Sequence, residues 1–88
     1  MLSPTTNDAE ALALAALAAT LTDERRARRF LDLTGLDADE LRARAGERSL
    51  LAATLVFLEA HEPDLIEVSK TLNIKPESLI AARAELER

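Results

Sequence analysis

Cysteine is absent, so the chain has no disulfides and no thiolate metal sites; its core must hold by packing alone. Tryptophan and tyrosine are absent too, and only Phe30 and Phe57 are aromatic. Glycine occurs only at Gly35 and Gly46, too far apart to form a phosphate-cradling loop. His61 is the only histidine, and without cysteine or a second imidazole it has no partners for a zinc site. Strand-preferring residues are scarce, with two valines and three isoleucines. The apolar content of 48% is mostly leucine and alanine, the strongest helix formers. This balance predicts an all-α fold.

The 88 residues make one domain, which buries roughly 60–65% of its unfolded surface around a single core. The apolar run from Ala11 to Leu21 is too short for the roughly 20 residues that span a bilayer. Asp8 and Glu10 stand at its mouth and no Lys or Arg precedes it, so it reads as a core helix and not as a signal segment. The expected setting is a reducing cytoplasm, with no membrane contact. Net charge is −5, but seven of the eleven basic residues, all Arg, lie between Arg25 and Arg48. An acidic chain is a poor default ligand for nucleic acid.

Residues 1–6 read as a disordered tail and 7–88 as a single helical domain. Asn7 and Glu10 have capping-box spacing and open a first helix to about Thr20. Leu14, Leu17 and Leu21 share one of its faces, with Leu12, Ala16 and Ala19 on a thin opposite face. A second helix runs from Thr22 or Asp23 to Thr34, with Ala27, Phe30, Leu33 and Thr34 expected inward and Gly35 as its left-handed stop. Asp37 and Glu40 repeat the capping-box spacing before a short third helix ending at Gly46. The fourth, about Glu47 to His61, is apolar all round and is expected to be central. Pro63 and Pro76 suit the starts of a fifth and a sixth helix, with Asn73 as a left-handed stop between them. The expected architecture is a compact bundle of five to six short helices. An offset of 38 pairs Leu17 with Leu55, Phe30 with Val68, Gly35 with Asn73 and Leu41 with Leu79, suggesting two pseudo-repeated three-helix halves against the alternative of coincidence in a Leu-rich chain.

The stretch Phe30-Leu31-Asp32-Leu33-Thr34-Gly35-Leu36, followed by Leu41-Arg42, resembles the signature of a family of short alphaproteobacterial proteins, domain of unknown function 3572. Phe57-Leu58, Glu62, Leu65, Pro76-Glu77 and Ala82-Arg83 extend the resemblance over about residues 9–86. It implies a bacterial cytoplasmic protein, and it brings no activity and no functional residues with it.

No constellation of catalytic groups is present. Ser3, Ser49, Ser69 and Ser78 have no base at a motif spacing, so no enzyme activity is expected. Asp37, Asp39 and Glu40 lack the glycine and distal glutamate of a calcium hand and read as helix-terminus residues. His61, near a helix end, suits a positive charge there. No metal and no cofactor are expected.

The most prominent polar feature is Arg25, Arg26, Arg28 and Arg29. Arg25, Arg28 and Arg29 are expected on the solvent face, where with Arg42, Arg44 and Arg48 they make a candidate patch for an acidic partner protein. The simpler reading is a solvated face stitched by local pairs of Glu24 with Arg28 and of Asp32 with Arg28 and Arg29. Arg26 falls inward beside Phe30, where it snorkels or meets a partner. The small-residue face of Leu12, Ala16 and Ala19 is a second candidate surface, for a homodimer. Residues 65–83 have helix-turn-helix spacing, but Glu77 and Glu85 on the open face oppose phosphates. The expected role is a non-catalytic protein-interaction or regulatory adaptor, with DNA binding through residues 65–83 as the alternative.

Overall fold

The computed structural model describes residues 6–88, with side chains from Asp8 onward. Six helices succeed one another: α1 (Thr6–Thr20), α2 (Glu24–Thr34), α3 (Ala38–Arg44), α4 (Arg48–Glu59), α5 (Glu62–Thr71) and α6 (Pro76–Leu86). No strand occurs among the described residues, and the expected all-α bundle is the fold. The expected tail (residues 1–6) falls outside the described residues except for Thr6, which already begins α1. The Asn7–Glu10 box likewise depends on a side chain outside them.

Local signals set the boundaries. Asp23 caps α2 by accepting from the Arg26 N–H at 2.9 Å. Asp37 accepts from the Glu40 N–H at 2.8 Å while Glu40 accepts from the Asp37 N–H at 3.1 Å, a complete capping box. Gly35 stands at φ 74° and donates to the Leu31 carbonyl at 2.8 Å, closing α2 in a conformation that penalises any side chain. Asn73, at φ 57°, closes α5: Asn73 N–H donates to Lys70 and Ile74 N–H to Ser69, both at 3.0 Å, in a Schellman arrangement. Gly35 and Asn73 are 38 positions apart, as are the starts of α2 and α5 and those of α3 and α6. The repeat therefore exists in local structure. It does not extend to packing, because α6 lies along both α1 and α4 whereas α3 makes no comparable helix contact.

The core sits among α1, α4, α5 and α6. Ala9, Ala13, Ala16 and Ala19 form the inward stripe of α1, and their small side chains let α6 and α4 approach closely. Leu50, Leu55 and Leu58 come from α4, Leu65 and Val68 from α5, and Leu79, Ala82 and Leu86 from α6. Buried hydroxyls are satisfied within their own helices: Thr20 bonds the Ala16 carbonyl, Thr54 that of Leu50 and Ser69 that of Leu65. Phe30 anchors α2, fully buried edge-to-face against Phe57 with ring centroids 5.1 Å apart.

Several expectations are corrected. Leu33, expected inward, is 70% exposed: it shares the side of α2 with Arg26 and Phe30 but lies over an open depression beside α4 and α6. Ala16 and Ala19 are buried inside the domain and Leu12 is half-buried, so the proposed dimer face is already used by the protein's own helices. α4 is not enclosed on all sides: Val56 is 44% exposed and Ala53 is open. α4 ends at Glu59, so His61 takes the N-cap position of α5. A helix N-terminus disfavours a cation, which reverses the dipole expected to act on His61.

Candidate functional site

The arginine cluster divides into two buried or anchored members and two free ones. Arg26 is 6% exposed. Its Nη2 donates to the Ala19 carbonyl at 2.9 Å, satisfying the C-terminal end of α1. Its Nη1 stands 4.0 Å from Asp64 of α5. Arg29 pairs with the other oxygen of Asp64 and lies over Phe57, with Cζ 5.6 Å from the ring centroid. These two arginines tie α2 to α1, α4 and α5. The local pairs expected with Glu24 and Asp32 do not form among the described residues; the partner of the cluster is Asp64, from a distant part of the chain.

Asp64 is the residue that sequence reasoning missed. It shares the inward stripe of α5 with Leu65, Val68 and Ser69. A carboxylate on such a stripe needs a cation, and this was the available signal. Arg48, read as part of the basic patch, instead reaches α6 and donates to the carbonyls of Leu86 at 2.8 Å and Glu85 at 3.0 Å. Arg42 pairs with Asp39 at 3.1 Å and Arg44 with Glu47 at 2.9 Å. Among the described residues, Arg25 and Arg28 alone of the seven arginines from Arg25 to Arg48 make no ion pair or side-chain hydrogen bond.

These two free arginines border an apolar groove. Leu14, Leu17, Leu21, Leu31 and Leu41 line its floor and walls, between α1, α2 and α3, over a volume of about 380 Å³. Leu21 and Leu31 continue it into a second compartment bordered by Arg25 and Arg28 and also by Glu24 and Asp32. Leu14 and Leu21 are 46% and 39% exposed, because α1 turns its alanines and Leu17 to the core and leaves Leu14 on the groove side, with Leu21 just beyond its end. α2 carries four arginines against two carboxylates, which makes it positive within an acidic chain.

A wider depression between α2, α4 and α6 contains Leu33 and Val56. Its charged residues are occupied internally, Arg48 by the end of α6 and Glu87 by Arg83 at 2.6 Å. On α6, the exposed positions include Glu77, Ser78, Ile80 and Ala81. Among the described residues, no cluster of three His, Asp or Glu side chains is spaced to hold a metal ion, and no helix is long and apolar enough to cross a membrane.

The chain matches, over residues 6–88, the model of a family described as protein of unknown function (DUF3572), and it belongs to that family. No curated protein and no solved structure matches it.

Proposed function

We propose that this member of the DUF3572 family is a non-catalytic adaptor that takes an acidic amphipathic helix of a partner protein into the groove between α1, α2 and α3. The observation that carries this reading is the pairing of the exposed Leu14 and Leu21 with Arg25 and Arg28, two guanidiniums that make no ion pair or side-chain hydrogen bond among the described residues. A helix laid in such a groove buries apolar residues at i, i+3, i+4 and i+7, while carboxylates on its flank meet the arginines. Arg26 and Arg29, engaged by Asp64, hold α2 in place and are not contact residues in this account. The absence of cysteine suits a cytoplasmic setting.

DNA binding through α5 and α6 is the weaker reading, since carboxylates such as Glu77 on the open face of α6 repel phosphates. A titration of duplex DNA at low salt decides it, because phosphate contacts predict binding that falls steeply as salt is added.

The adaptor reading is tested by double charge reversal, Arg25→Glu with Arg28→Glu, in the full chain used as bait. The expected result is loss of a stoichiometric partner that the wild type retains, with unchanged helicity, and mapping of the captured segment to an acidic amphipathic helix. Retention of that partner by the reversed protein, or a captured segment that is basic or extended, overturns it.

A further inference from the structure

We infer that the open depression between α2, α4 and α6 is a self-association face, on which a second copy of this chain docks about a two-fold axis with the two α4 helices antiparallel. This face is separate from the α1–α2–α3 groove, and the inference does not rest on the adaptor reading. The depression has a volume of about 890 Å³, against about 380 Å³ for the groove.

Its floor comes from α4. From Ser49 to Leu58 that helix has no charged residue. Ser49, Ala53 and Val56, with Ala60 at the C-cap, recur at helical spacing and so share one side, and all four are exposed. They are the part of an all-round apolar helix that the domain itself leaves uncovered. Leu33 of α2 stands at the edge of the depression and is the most exposed large apolar side chain among the described residues. A projecting leucine beside a hollow is the shape that an isologous contact needs, because Leu33 of each copy enters the hollow of the other.

The charges select a second copy as the occupant and set its direction. At the N-terminal end of α4, Arg48 donates to the carbonyls of Leu86 and Glu85 and pairs with no carboxylate among the described residues, so its positive charge is not cancelled. Beyond Val56, at the C-terminal end, Glu59 and Glu87 share the single guanidinium of Arg83, which leaves a negative charge over. The face is therefore positive at one end, negative at the other and uncharged between. An antiparallel pair sets each Arg48 end against the Glu59–Glu87 end of the other copy, whereas a parallel pair sets like against like. A uniformly acidic or uniformly basic partner meets repulsion at one end. In the antiparallel register Ser49 lies opposite Ala60 of the other copy, and Ala53 opposite its Val56.

The test is sedimentation velocity of the full chain from the low micromolar to the near-millimolar range. The expected result is a reversible passage from one chain to two as concentration rises. Ala53→Glu and Leu33→Glu alter exposed positions outside the core, so both should keep the wild-type helicity, and each should weaken dimerisation roughly tenfold or more. Arg25→Glu with Arg28→Glu, at the other groove, should leave dimerisation unchanged. Because the chain has no cysteine, direction is read separately. An equimolar mixture of the Ser49→Cys and Ala60→Cys proteins, treated with a short bifunctional maleimide, should give the mixed dimer ahead of either like pair. A chain monomeric at every concentration would overturn the proposal and leave the face to a different protein. So would a dimer untouched by both glutamates, or one abolished by the Arg25–Arg28 reversal. Cross-linking of the Ser49→Cys protein chiefly to itself would overturn the antiparallel arrangement.

Discussion

Replacing Phe30 with alanine tests how the arginine-bearing helix is held on the bundle. Phe30 is fully buried, and its ring meets Phe57 edge-to-face at 5.1 Å. Removing a buried phenyl group costs about 3–5 kcal/mol, from lost transfer free energy and the cavity left behind. The whole domain, at roughly 0.05–0.15 kcal/mol per residue, is stable by about 4–13 kcal/mol. One substitution therefore removes a large share of the total. With a urea slope of about 1–1.5 kcal/mol/M for so small a chain, the midpoint should fall by about 2–5 M. Phe30→Leu keeps most of the volume and loses chiefly the aromatic pair and some fit, so it should cost about 1–2 kcal/mol. Urea titration followed by far-ultraviolet circular dichroism reads both. A midpoint shift below about 1 M for the alanine variant, well under the cavity expectation, would refute Phe30 as the anchor of α2.

Other perturbations have equally definite outcomes. Asp64→Asn strips the counter-charge from buried Arg26 and half-exposed Arg29 and should cost about 2–3 kcal/mol in the same titration, less than a fully enclosed pair because Arg29 reaches solvent. Gly35→Ala should cost about 1 kcal/mol despite the open space around it, because the strain lies in φ 74° and not in a clash; Asn73→Gly, already left-handed at φ 57°, should change stability by less than about 0.5 kcal/mol. The Arg26 backbone N–H holds the Asp23 carboxyl below the usual carboxylate range. A lowered folded value stabilises the fold above the unfolded pKa and loses that stabilisation as pH falls through the folded one. Asp23→Asn, which still caps, should therefore flatten the acid limb of the stability profile; urea midpoints compared between neutral and acid pH decide it, and an unchanged slope would count against the cap.

What could be read from the sequence was local. The Asp37–Glu40 box, Gly35 and Asn73 are short-range chemistry, and each lies where its spacing puts it. The inward side of α1 was not readable, because the helix is apolar around most of its circumference and periodicity selects no face. Tertiary packing against α4 and α6 buried Ala9, Ala13, Ala16, Leu17 and Ala19, and that left Leu14 and Leu21 to border the groove. Leu33 stands on the same side of α2 as Arg26 and Phe30, as its spacing predicts, but there the side faces the open depression beside α4 and α6, which spacing does not reveal. The free status of Arg25 and Arg28 was hidden too. Helical spacing offers Arg28 the carboxylates of Glu24 and Asp32, and only the fold shows that it pairs with neither and that Arg29 is committed to a distant one.

The central claim is that the groove between α1, α2 and α3 receives an acidic helix, and site-specific photo-crosslinking tests it most directly. A photoreactive residue is placed at Leu14, on the groove wall, and separately at Ile80, a comparably exposed position on α6. Both proteins are irradiated in the cells that make them, and the cross-linked peptides are sequenced. The account predicts one dominant adduct from position 14, to a peptide with helical apolar spacing and flanking carboxylates, and no such adduct from position 80. The same partner peptide recovered from position 80 and not from position 14 would contradict it.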